Sequence, residues 1–260
     1  MKPLISEFSY GYAVTDELIH GLNTPVTAAP IFPSLYQEGQ VGGGYDVEIR
    51  GPAVPLFIQF KLSHCLTTMN ASEAQAGLLY PPYYRMHVRS RRHSNQHQML
   101  IDLQQEGNDV YYCAPGFFRE LELNNAYLNQ QVCNRSIWIW PSNIGTLPDD
   151  ESHYVAFSHP QANHFFFCSE PTFVEADISF ESVIKRLYGK LTSLDENFSP
   201  QESFEQLSRS LENLADKTRL TSLERGKMDR IYELPAIQRT AAIASLLYDS
   251  QLYVATLADA

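Results

Sequence analysis

The stretch Gly42–Ser63, GGGYDVEIRGPAVPLFIQFKLS, limits the fold more than any other part of the chain. It holds an alternating run opened by Asp46, a Gly51-Pro52 turn signal, and a second apolar run, PLFIQFKL. Two extended runs around a turn predict strands over about 45–50 and 55–62, folded back as a hairpin. Gln59 and Lys61 interrupt the second run two positions apart, so on a strand both point to one face. Phe57, Phe60 and Leu62 around them suggest a central strand. Burying a lysine or an amide without a partner is costly. Either that face meets solvent or it is a site.

The hairpin would bring Asp46 beside Gln59 and Lys61. An acid, an amide oxygen and an amine on rigid strands suit a hard cation next to a phosphate. With that pattern the chain resembles the PD-(D/E)xK, or restriction-endonuclease-like, nuclease superfamily. Its signature is an Asp, a spacer, then Glu-x-Lys on the next strand; Gln59 stands where the second acid would be, as in the Gln-x-Lys branch. The resemblance covers about residues 30–116. It implies a metal-dependent nuclease that cleaves DNA phosphodiester bonds. Mg²⁺ or Mn²⁺ would be held by Asp46, Gln59 and a further acid, with Lys61 orienting or activating the attacking water. Glu38 is the first choice for that acid, Glu17 and Glu7 its rivals, and each also reads as an ordinary surface acid. The resemblance further implies that Gln96, at the start of the next helix, faces the site, and that the chain serves a bacterial defence or restriction system. The alternatives are a catalytically inactive nuclease-fold subunit for binding or assembly, and a plain interaction protein.

The net charge of −11 is the main objection, since free-standing DNA binders usually carry the opposite sign. One dense basic stretch offsets it: Arg85, His87, Arg89, Arg91, Arg92 and His93. These residues, with Gln96, read either as a phosphate-contacting ridge or as a solvated face paired with nearby acids. Cys65, Cys113, Cys133 and Cys168 form no CxxC pair, which favours cytoplasmic thiols over a zinc site. His153, His159 and His164 are spaced irregularly and read as core or surface residues, with a metal cluster as the alternative. No apolar run reaches the length of a membrane span, and the N-terminus has no signal-peptide pattern.

The expected fold class is α/β, a restriction-endonuclease-like mixed-sheet core with a β-rich extension and a helical C-terminal region. Residues 1–135 form the core, 136–181 the extension and 182–260 the helical region. Within the core, a helix is expected over Thr15–Leu22 with Thr15 as N-cap, and a strand over YYRMHVRS. A helix capped by Ser94 and a buried strand DVYYCAPGFF follow. The last helix is expected over Gln238–Leu257, apolar on more than one side. Such a helix could be covered partly by the core and partly by a partner protein or a second copy.

Overall fold

The computed structural model describes residues 1–20, 25–26, 52–158, 164–167, 172–175, 179–195, 198–215 and 222–256. It is mixed α/β. The elements are α1 (Glu7–His20), β1 (Ala53–Phe60), β2 (Ser63–Leu66), α2 (Ser72–Gln75), β3 (Tyr83–Val88), α3 (Gln96–Gln105), β4 (Asp109–Pro115), α4 (Glu120–Leu128) and β5 (Ser136–Ile139). Then come α5 (Pro141–Ile144), β6 (His153–Phe157), β7 (His164–Phe167), β8 (Thr172–Glu175), α6 (Phe180–Ser193), α7 (Pro200–Leu214), α8 (Ser222–Ile231), α9 (Ala236–Tyr248) and β9 (Gln251–Thr256).

Two sheets result. The first is mixed, in the order β5-β4-β1-β9, with β1 parallel to β4 and antiparallel to β9. Parallel neighbours need a long crossover, and α3 runs within the one from β1 to β4. The second sheet, β2-β3-β6-β7-β8, is antiparallel throughout.

β1 and β4 are buried almost end to end, as strands covered on both faces should be. On one face, α1 packs its Tyr10 edge-on to Phe60. A Cβ on Gly11 would meet the Phe60 ring at 3.1 Å, so glycine there lets the helix approach the sheet closely. α6 shares this face, with Phe180 beside Trp138. Its Arg186 and Lys190 hold buried Asp109, at the start of β4, at 2.5 and 2.7 Å. On the other face lies α3, with its apolar side of Met99, Leu100 and Leu103 buried as expected and α7 and α9 packed against it. Ser94 Oγ accepts the Gln96 N–H, and Gly107 takes φ 91° past the helix end.

Several expectations change. The first helix starts at Glu7, not at Thr15, because Ser6 Oγ accepts the Ser9 N–H and acts as the cap. Thr15 sits mid-helix and bonds the Tyr253 hydroxyl. The expected hairpin strand 45–50 lies outside the described residues; the antiparallel neighbour of β1 is β9, from the far end of the chain. Of the β-rich runs after residue 135, β5 joins the first sheet and β6–β8 the second.

The expected helix Gln238–Leu257 is a helix only to Tyr248; Gln251–Thr256 is a strand at the edge of β1. Leu252 and Val254 point to one face of that strand and Tyr253 and Ala255 to the other, and all four are buried. Of the apolar residues that suggested a covering partner, Ile243, Leu252 and Val254 are buried inside the chain, while Leu246 and Leu247 are half-buried. Among the described residues no helix is long and apolar enough to cross a membrane.

Candidate functional site

Gln59, near the C-terminal end of β1, and Lys61, just past it, both reach Asp249 Oδ2 and so lie to the same side, as their spacing requires. Lys61 lies just past the strand, yet its N–H donates to Cys113 O at 2.9 Å, so the parallel ladder still fixes its position. Gln59 is 1% exposed. Its Nε2 donates to Asp249 Oδ2 at 3.4 Å, while its Oε1 is buried with no hydrogen-bond partner among the described residues. Few buried polar atoms in a native fold go unpaired, so an orphaned acceptor points to a missing donor or cation.

Lys61 Nζ lies 3.9 Å from the same Asp249 Oδ2. Burial lowers the Lys61 pKa; Asp249 and Glu7 act in the opposite sense, and Arg89 lowers it further. Glu7 stands at the first turn of α1. Glu7 is exposed as a residue, but partial desolvation of its carboxyl raises it, the Lys61 charge lowers it, Asp249 raises it and Arg89 lowers it. Two acids and one amine thus act on each other at this end of the sheet, and one of the acids, Asp249, also accepts from the Gln59 amide.

Asp249 had no place in the sequence reading, which ran a helix straight through it. It caps α9 at φ 49° and ψ 38°, in the left-handed region that glycine usually fills. Asp tolerates this conformation better than most residues but is still strained there. The corner is held firmly. Gln96 Nε2 donates to Tyr248 O at 2.7 Å, Ser250 Oγ donates to the same carbonyl at 3.1 Å, and Ser250 N–H donates to Ala244 O at 3.1 Å. Gln96, expected to face the site, therefore acts through the backbone that aims Asp249.

Of the acids considered earlier, Asp46 and Glu38 lie outside the described residues. Glu7 is in the cluster. Glu17 is not: it is buried and accepts the Val132 and Cys133 N–H groups at 2.6 and 3.3 Å, a structural task. Among the described residues no three His, Cys, Asp or Glu side chains converge as a metal site. Gln59 Oε1 and the carboxylates of Glu7 and Asp249 are oxygen donors of the kind a hard cation takes, with Asp249 on the Nε2 side of the amide.

The basic stretch divides. Arg85 makes two bonds to the buried carboxylate of Glu73, at 2.7 Å from Nε and also through Nη2. That pairing lowers Glu73 against its burial. Arg91 reaches Asp150 at 3.2 Å. His87 is half-buried between His64 and Tyr154. Arg89, Arg92 and His93 are exposed, and Arg89 is the one whose charge acts on both Glu7 and Lys61. His153 pairs with Asp149 at 3.0 Å; His159 and the side chain of His164 lie outside the described residues. Cys65, Cys113 and Cys133 are buried free thiols. Comparison of the chain with family models, curated proteins and solved structures gave no match.

Proposed function

We propose that the chain is a metal-dependent nuclease with a restriction-endonuclease-like core, acting on DNA phosphodiester bonds at the end of β1. One observation carries the reading: Gln59 Oε1 is buried with no hydrogen-bond partner among the described residues, and the Nε2 of the same amide and the half-buried amine of Lys61 meet one Asp249 oxygen. An amide oxygen and a lysine on one strand face, with acids nearby, suit a cation and a phosphate side by side.

Mg²⁺ or Mn²⁺ would be held by Gln59 Oε1 and by Glu7, with Asp46 as the expected further ligand, and would polarise the phosphoryl oxygen and lower the pKa of a bound water. Lys61 offers its N–H donors to a phosphate oxygen or to the attacking water. Its depressed pKa eases the exchange of a proton at Nζ. Asp249 orients the amine and turns the Gln59 amide so that Oε1 faces away from it.

A second reading has one observation in its favour. The Asp249 carboxylate lies on Lys61 and Gln59 Nε2, where a phosphate oxygen would otherwise bind, which suits an inactive binding subunit of the same fold. Nicking of supercoiled plasmid with and without Mg²⁺ tests both. Wild type should nick only with the metal, and Lys61→Ala should lose about 100-fold or more in rate. Equal rates for wild type and Lys61→Ala, or no nicking by wild type with Mg²⁺, would refute the nuclease reading.

A further inference from the structure

The outer face of the second sheet carries a row of rings that the site above does not use. His64 on β2 stands opposite Arg85 on β3, and His87 on β3 stands opposite Tyr154 on β6. Side chains at paired positions share a face. The His64 and His87 rings lie 4.6 Å apart at 63°, and the His87 and Tyr154 rings 4.2 Å apart at 68°. All three residues are half-buried. The row thus crosses three strands without a break. The Arg85 guanidinium lies over the Tyr154 ring at 5.1 Å and stays tied to Glu73.

At one end the face is closed: Tyr83 and Ala156 are buried under Ala74 and Leu79, in and just after α2. At the other end β3 runs out to Arg89, whose charge acts on Lys61 and Glu7. Among the described residues, the charged groups acting on His64 and His87 are cationic: the terminal amine, Lys2 and Arg85. Burial, then His64 and Arg85, hold His87 down to about 4, so its ring is uncharged at neutral pH.

A row of rings flanked by cations, in a chain of net charge −11, suits a ligand with two properties. It carries flat π-faces and regularly spaced negative charge, and an unpaired nucleic-acid strand has both. A duplex hides its base faces and could use only the cations. We propose that the face formed by His64, His87 and Tyr154, flanked by Lys2 and Arg89, binds an unpaired stretch of nucleic acid leading to the Lys61 site. This rests on the hydrolase reading only for what the strand is delivered to; the surface itself is tested apart from it.

Fluorescence anisotropy with a labelled short single strand and the matching duplex, in EDTA so that no metal-dependent hydrolysis competes, measures the binding. Wild type should prefer the single strand. His64→Ala and Tyr154→Ala should each weaken it by about 5- to 150-fold, the usual effect of losing one base-stacking ring. Arg89→Glu should flatten the salt dependence. Circular dichroism and thermal melting confirm the fold of each variant; His64→Gln and Tyr154→Leu replace any that unfolds. Unchanged affinity in folded variants, tighter binding of duplex, or no binding by wild type would each overturn the surface. Cleavage is read separately, with Mg²⁺ added. If wild type binds the single strand and the variants do not, but nothing is cleaved, the hydrolase reading falls and the surface stands. If wild type and both variants cleave and bind alike, the surface falls and the hydrolase reading stands.

Discussion

Replacing Asp249 by glycine and by alanine separates what its carboxylate does from what its backbone conformation costs. Asp249 ends α9 at φ 49° and ψ 38°. In that region a side chain with a Cβ is destabilising by about 1–2 kcal/mol. Glycine removes the clash but loses about 0.4–1 kcal/mol through the greater freedom of the unfolded chain. Both substitutions delete the same contacts with Gln59 and Lys61. The difference between them therefore isolates the backbone. Asp249→Gly should be the more stable by about 0.5–1 kcal/mol, or about 1–4 °C in Tm for a chain of this size. The carboxylate is 56% exposed and 3.9 Å from the amine, so its loss should cost only about 0.2–1 kcal/mol. That leaves Asp249→Gly within about 1 kcal/mol of wild type. Thermal unfolding of the three proteins measures the differences, and plasmid nicking is run alongside. Both variants should lose activity to the same degree. An alanine variant as stable as the glycine variant would refute the strain argument; full activity in a folded glycine variant would remove the carboxylate from the site.

Lys61→Met should raise thermal stability at neutral pH while abolishing cleavage, because burial disfavours the charged amine. The folded pKa lies below the unfolded 10.5, so this destabilisation is complete below the folded value and disappears as pH rises through 10.5; melting both proteins at pH 7 and pH 10.5 should show the gap closing, and a constant gap would sink the reasoning. Gln59→Glu adds a third carboxylate beside Asp249 and Glu7 and should cost about 1–3 kcal/mol without divalent metal. Mg²⁺ should restore much of that Tm, and a shift equal to that of wild type would argue against cation binding there. Arg85→Ala leaves the buried carboxylate of Glu73 unpaired and should cost about 3 kcal/mol in urea unfolding, whereas Arg89→Ala on the exposed end of the ridge should stay within about 0.5 kcal/mol of wild type.

Local pattern determined a good deal of this protein. The spacing of Gln59 and Lys61 put both on one strand face, because side chains alternate along a strand whatever lies around it. The alternation in YYRMHV placed Met86 and Val88 inside and Arg85 and His87 towards the outer face. The apolar side of α3, the all-buried run of β4 and the runs that became β5 to β8 were legible for the same reason: period and turn residues are local properties. Tertiary structure decided what those elements met. A run such as QLYVAT is apolar on every side and so fits a buried helix or a buried strand equally well; the open edge of β1 made it a strand. That choice forced the chain to turn at Asp249, and the turn carried a carboxylate from near the end of the sequence to Lys61. Glu7 joined the same cluster because Gly11 lets α1 lie close on the sheet. Arg85 and Glu17, which as single letters looked like candidates for binding and catalysis, went to a buried ion pair and to two backbone N–H groups. Sequence spacing sets which way a side chain points. Only the packed fold brings charges from distant parts of the chain to the same place, and their mutual desolvation and pairing are what distinguish a site from a surface.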